Sequence, residues 1–258
     1  MVFVWMAPVR NDPSSSVLGM AVSGRGRGGG YHPTISPEVQ DRIRAWHDRT
    51  YADMIRSEPI EVTCLGVDLW VPPQVFAPPP MAPLLAQVVQ QEVRSSDRVL
   101  DMGTGSGINA ILAASRSSQV VAVDINPHAV ECASRNAKAN GVGDRVQCRA
   151  SDVFDQVDGR FDMIIFDPPF RWYPPRDLLE ASITDEGYAA MTRFMVQVQD
   201  YLTEGGRVLV NFGTSGDLDY LLYLIDSNGF AREVLSEVEL VREDWTVNYY
   251  VYRLTPKA

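Results

Sequence analysis

The sequence predicts an α/β fold: a mostly parallel seven-stranded sheet with a C-terminal antiparallel strand, helices on both faces, and a small N-terminal helix and β-hairpin extension. Three observations carry this expectation. From Arg98 onward, short β-branched and aliphatic runs alternate with segments of helical periodicity. A parallel crossover needs a helix and turns right-handed, so such alternation calls for a parallel sheet. The first run, Arg98-Val99-Leu100-Asp101-Met102, opens into Gly103-Thr104-Gly105-Ser106-Gly107, and a later one, Phe161 to Phe166, stops at Asp167-Pro168-Pro169-Phe170.

The elements follow in order. Residues 1–33 carry Asn11-Asp12-Pro13-Ser14-Ser15-Ser16 and Gly24-Arg25-Gly26-Arg27-Gly28-Gly29-Gly30, a composition that cannot bury enough apolar surface to order itself, and read as a flexible tail. Residues 34–82 read as a substrate-side extension. Ser36-Pro37-Glu38 is a helix start, with Ser at the N-cap, Pro in the first turn and an acid behind it, and the helix runs to about Arg56. Glu61–Cys64 and Val67–Val71 flank Gly66 as a short hairpin. The proline-rich stretch from Pro72 to Pro80 can only be extended backbone or turn. A helix over Met81–Val93 then leads into residues 83–258, the ligand-binding domain.

Strands are expected at 98–102, 119–124, 145–149, 161–166 and 206–212. Helices are expected near 107–116, 127–140, 184–203 and 216–227. Two last strands, Ala231–Val241 and Thr246–Arg253, pair antiparallel around Glu243-Asp244.

Composition bounds the function. The 258 residues suit one large domain with an extension, and the net charge is −10. A nucleic-acid binder gathers Lys and Arg into a stripe; this chain has no strong basic run, which favours a small-molecule or protein substrate over RNA or DNA. Cys64, Cys132 and Cys148 are widely spaced and form no C-x-x-C pair, as expected of core thiols in a reducing compartment. His32, His47 and His128 lack metal-ligand spacing, so no metal site is expected. No apolar run reaches the roughly 20 residues of a membrane span, and Met1–Val9 lacks a basic leader, which makes the cytoplasm the default.

The glycine turn narrows the ligand. A dinucleotide fingerprint, G-x-G-x-x-G, would need glycine at 108, where Ile108 stands. The pattern is D-x-G-x-G-x-G. Asp101 at a helix N-terminus opposes a phosphate and favours a ligand carrying an ammonium or sulfonium group.

Val99–Ile108 resembles motif I of class I S-adenosylmethionine-dependent methyltransferases, and the resemblance extends over roughly 98–255. It implies a Rossmann-like fold and S-adenosyl-L-methionine as cofactor, cradled by Asp101, Gly103, Thr104, Gly105 and Gly107. It also implies that Asp124 holds the ribose hydroxyls, that Ile125 lies on adenine, and that Asp152, after Ser151, meets the adenine amino group. Asp167-Pro168-Pro169-Phe170 resembles the (Asn/Asp)-Pro-Pro-(aromatic) motif of amino-methyltransferases, which act on adenine N6, guanine N2 or the glutamine amide. Asp167 and the Pro168 carbonyl can accept both hydrogens of a planar NH2, Phe170 can stack on the substrate, and Asp167 also borders the methyl donor.

Trp172 and Tyr173 extend the loop as a substrate wall or as packing beneath the next helix. Arg171 and Arg176 read as solvated rather than substrate-binding. Upstream, Val75-Phe76-Ala77-Pro78-Pro79-Pro80-Met81 is similar to the segment before the cofactor helix in release-factor glutamine methyltransferases, with Phe76 on the substrate side. That family carries Pro-Arg-Pro followed by acid-Thr-Glu. Here Pro79 stands at the Arg and Met81-Ala82-Pro83 at the polar trio, so the resemblance carries the catalytic class and not the release-factor substrate.

The expectation is therefore N-methylation of a planar amide or amine nitrogen in a small molecule or protein side chain. An RNA or DNA base methyltransferase is the alternative, marked by a basic face beside Asp167. An NAD-dependent oxidoreductase and a non-catalytic cofactor-binding module are the readings from other classes; Ile108 and the Pro-Pro motif speak against the first, intact Asp101, Asp124 and Asp167 against the second.

Overall fold

A computed structural model describes residues 31–242 and 245–257. The tail expected over residues 1–33 lies outside the described residues up to position 30, as does the turn expected at Glu243-Asp244. The elements are α1 (Pro37–Met54), β1 (Ile60–Cys64), β2 (Val67–Val71), α2 (Ala82–Glu92), β3 (Arg98–Met102), α3 (Ile108–Ala114), β4 (Gln119–Asp124), α4 (Pro127–Ala139) and β5 (Val146–Ala150). They continue with β6 (Phe161–Phe166), α5 (Ala189–Gln197), β7 (Leu202–Gly213), α6 (Leu218–Ser227), β8 (Phe230–Arg242) and β9 (Trp245–Pro256).

Strands β1 and β2 form a two-stranded hairpin that turns at Leu65 and Gly66, both left-handed (φ 49° and 80°). The other seven make one sheet in the order β5-β4-β3-β6-β7-β9-β8. Pairing is parallel from β5 through β7, and β9 runs antiparallel to both its neighbours. This is the expected fold class. The inner strands are buried on both faces, which is why they read as continuous apolar runs: Val99, Leu100, Met163, Ile164, Ile165, Val208, Leu209 and Val210 have no exposed surface.

The chain steps outward from β3 to β4 and β5, then returns past β3 to β6. The carboxyl ends of β3, β4 and β6 therefore meet at the switch in strand order, where open α/β sheets bind ligands. Asp101, Asp124 and Asp167 stand at those three ends.

One expected helix is corrected. Residues 184–203 do not form a single helix, because Gly187 and Tyr188 are both left-handed (φ 59° and 52°). The α-helix starts only at Ala189, where the Asp185 carboxylate accepts the amides of Ala190 and Met191 at 3.0 and 2.9 Å. It passes into a 3-10 turn over Val198–Tyr201, and β7 begins at Leu202 rather than 206. A register shift between Phe161 and Met163 accommodates that early start. Helix α1 ends two residues before Arg56, whose guanidinium donates to the carbonyls of Val71, Pro72 and Val75.

Cys64 and Cys132 are buried, Cys148 is half-buried, and all three are free thiols whose pKa burial pushes up; raised thiols make poor nucleophiles. Among the described residues no helix is long and apolar enough to cross a membrane.

Candidate active site

A cavity of about 970 Å³ opens over the carboxyl ends of β3, β4 and β6. Its floor begins at the glycine turn. The amides of Gly103 and Thr104 both donate to the Val123 carbonyl, at 2.8 and 2.9 Å, which ties the turn to β4. Gly103 and Gly105 are left-handed (φ 73° and 54°), and a Cβ at either would enter open space. They are glycines for backbone conformation and leave the cradle bare for a ligand. Gly107 has a different reason: a Cβ there would lie 2.9 Å from the Ala133 Cα, so its absence lets α3 and α4 approach.

Asp101 is buried, and one of its oxygens accepts both the Thr104 hydroxyl at 2.6 Å and the Ala110 amide at 3.1 Å. It braces the turn from below rather than lining the cavity. Burial pushes its pKa up to about 7, against those hydrogen bonds and with help from the negative charges of Asp124 and Asp167. Asp124 lines the cavity and accepts the amides of Gly105 and Asn126, each at 2.9 Å. Burial raises its pKa as well. Ile125 beside it is exposed, 55% of its surface being open, and lines the same wall. Asp152 lines the wall too and is ion-paired with Arg193 of α5.

Asp167 follows β6 and exposes its side chain to the cavity. The surrounding walls still desolvate the carboxylate enough to push its pKa up to about 6, and a hydrogen bond from the Asn211 amide, at 2.9 Å, opposes the rise. The loop behind it is held firmly. Tyr188 donates its hydroxyl to the Phe170 carbonyl at 2.6 Å and accepts the Asp217 amide at 2.8 Å. Gly216 packs so tightly there that a Cβ would lie 2.2 Å from the Phe170 carbonyl oxygen. The Phe170 ring sits 4.9 Å from Phe212 and 6.0 Å from Tyr249.

The extension supplies the opposite wall. Trp46, Thr50, Asp53 and Met54 of α1 face Phe76 and the prolines that follow it. Trp172 and Tyr173 do not line the cavity. Tyr173 is buried behind the loop, donates to the Gln40 carbonyl and packs on His47; Trp172 packs on Tyr173 and Tyr188. Neither forms the expected substrate wall; Trp172 packs at the start of α5, while Tyr173 packs against α1 rather than beneath the next helix. Arg171 is a second correction: it is buried, lines the cavity and lies 4.5 Å over the Trp46 ring. Arg176 is half-exposed and grips the buried Glu180, whose carboxylate also accepts from the His47 ring at 2.7 Å. Among the described residues no cluster of His, Cys, Asp and Glu could hold a metal.

Sequence reasoning missed Asn211, Arg193, Trp46 and Tyr249. Asn211 had a signal, being a polar residue inside the apolar run Val208–Phe212. The others come from elements distant in sequence and left none.

The donor set fits S-adenosylmethionine. A glycine turn with no side chains over the floor, a carboxylate at the β4 end suited to a vicinal diol, an exposed aliphatic face, and carboxylates whose crowding favours a nearby cation all border one cavity. Comparison with known proteins agrees. The sequence pattern of the methyltransferase small domain matches residues 80–217. A protein of Methanocaldococcus jannaschii, provisionally named as a protein N5-glutamine methyltransferase, is 32% identical over 152 residues, covering 56% of this chain and 75% of its own length. A release factor glutamine methyltransferase of Agrobacterium fabrum is 28% identical over 189 residues, 64% of each chain. Among solved structures, Methanocaldococcus jannaschii Trm5 in complex with adenosine shares the fold, with a TM-score of 0.59 at 21% identity over 79% of this chain and 57% of that one. The chain belongs to the methyltransferase small-domain family and is an S-adenosylmethionine-dependent methyltransferase.

Proposed function

We propose that the enzyme methylates a planar side-chain amide nitrogen of a protein, the glutamine amide being the chemistry that the names of the two relatives described above carry. The observation that carries this reading is Asp167: a carboxylate open to the cavity, at the end of β6, on a loop braced by Tyr188 and Gly216. An amide nitrogen is a poor nucleophile because its lone pair is delocalised. Asp167 and the Pro168 carbonyl accept its two hydrogens, favour a more pyramidal nitrogen and aim the lone pair. Phe170 supplies a face for the amide plane. When bound, S-adenosylmethionine would supply an electrophilic methyl carbon, its sulfur keeping the electron pair of the C–S bond. As the N–C bond forms, one N–H proton leaves the nitrogen for Asp167 or solvent, so Asp167 need not be a strong base. Positioning of this kind lowers a barrier by about 7–11 kcal/mol when geometry is well held.

Charge supports a peptide over a nucleic acid. Asp53, Asp124, Asp152, Asp167, Asp185 and Glu186 line the cavity against Arg56, Arg171 and Arg193. Arg56 is engaged with backbone carbonyls, Arg193 with Asp152, and Arg171 lies over the Trp46 ring. An acidic mouth repels phosphates. Residues 34–82 act as the substrate-side extension in this reading, and 83–258 as the catalytic domain.

The test is transfer of labelled methyl into cell extract split into protein, RNA and metabolite fractions. Label is expected in protein, released on digestion as N5-methylglutamine. Asp167→Ala is expected to cut transfer by at least about 100-fold while S-adenosylhomocysteine still binds. Label confined to RNA overturns the proposal.

A further inference from the structure

Asn211 lies in β7 between Val210 and Phe212, both without exposed surface, and is itself 7% exposed. Its strand pairs with β6 in the register Phe166↔Val210, which sets residue 211 beside residue 167. Its amide nitrogen donates to one Asp167 oxygen at 2.9 Å, while its own carbonyl oxygen is buried with no hydrogen-bond partner. A buried carbonyl left unmet costs stability, and an aliphatic residue would suit the slot better. The amide orientation is dictated by charge, because a carbonyl turned toward a carboxylate would be repelled. The side chain serves Asp167 rather than the core.

We infer that Asn211 is a positioning residue for methyl transfer: its N–H holds one Asp167 oxygen and so leaves the other presented to the acceptor nitrogen. This rests on the proposed role of Asp167. Asn211 also favours the ionised carboxylate, opposing the cavity walls that raise it. Asp101 lies within electrostatic range below, and Arg171, Asp185, Glu186 and Tyr249 share the cavity wall.

The experiment is a carbon-13 NMR titration of the full chain with carboxyl-labelled aspartate and S-adenosylhomocysteine, the Asp167 signal being assigned by its loss in Asp167→Asn. In Asn211→Leu the Asp167 midpoint is expected to rise by about one pH unit. Binding of S-adenosylhomocysteine should stay within about twofold, and methyl transfer to extract protein should fall at least about tenfold. Asn211→Ala removes the amide without adding bulk and gives the same shift if the leucine variant does not fold. An unmoved midpoint overturns the assignment, and so does a moved midpoint with unchanged transfer. If Asp167→Ala keeps full transfer, the acceptor reading fails instead, while the Asp167 midpoint in the Asn211 variants still reports on the bond.

Discussion

The two ends of the same sheet treat carboxylates in opposite ways. At the amino end, Asp97 and Arg207 form a buried pair at 2.8 Å, and Arg207 also donates to the carbonyls of Glu92 and Asp162. Glu92 is met by Arg253 at 2.8 Å, and Asp162 accepts the Arg98 amide and the Thr203 hydroxyl. Burial would raise Asp162, yet these bonds and the nearby Arg207 and Arg98 charges hold its pKa below the usual carboxylate range. At the carboxyl end, Asp101, Asp124 and Asp167 are met by amides and hydroxyls, and their pKa values are raised. One end is neutralised by the chain itself. At the other, neutral donors meet these three carboxylates, and a bound cation would favour their charged forms.

That contrast can be broken from either side. Removing a buried partner should hurt most: Arg207→Met leaves Asp97 unpaired and is expected to lower unfolding free energy by about 3–5 kcal/mol. Urea denaturation reads the loss, and S-adenosylhomocysteine affinity of the folded fraction should not change. At the other end Asp124→Ala should barely affect the fold but weaken cofactor binding by about 1.5–3 kcal/mol, the scale of a charged hydrogen bond, measured by titration calorimetry. Wild-type stability with wild-type affinity in that variant would remove Asp124 from the site.

The smallest effect is the most diagnostic. Asp101 and Asp167 are protonated below their raised pKa values and charged above them. A sulfonium should therefore be preferred over the neutral thioether more strongly as pH rises from about 5 to about 8. The ratio of S-adenosylmethionine to S-adenosylhomocysteine affinity should climb across that window, with proton release on binding S-adenosylmethionine near pH 6–7 in buffers of different ionisation enthalpy. A flat ratio would mean that these carboxylates do not sense the cation.

Local signals made most of the fold legible. β3, β4 and β6 lie within one residue of their expected limits because apolar runs buried on both faces are bounded by glycine, proline or an acid. The helix expected at 184–203 broke because left-handed Gly187 and Tyr188 depend on tertiary contacts, among them the Tyr188 hydroxyl bridging Phe170 and Asp217. The floor of the cavity was legible for the same reason as the strands: Gly103, Gly105, Asp124 and Asp167 belong to short motifs. Its far wall was not, because Trp46 and Tyr249 arrive from α1 and β9 through packing alone. Aromatic residues next to a motif were also misleading, since Trp172 and Tyr173 turned inward while Arg171 reached the cavity.

The N-terminal segment has one more consequence. Thr34 donates both its amide and its hydroxyl to the Asp217 carboxylate, which in turn accepts the Tyr220 amide at the start of α6. The Asp217 amide meets Tyr188, and Tyr188 meets the Phe170 carbonyl. Four hydrogen-bonded stations thus join a residue near the beginning of the chain to the backbone beside the Pro-Pro turn. Trimming the protein to residue 34 keeps both Thr34 bonds to Asp217, whereas trimming it to Pro37 removes the outermost station of this brace and leaves the Tyr188 links to Asp217 and Phe170.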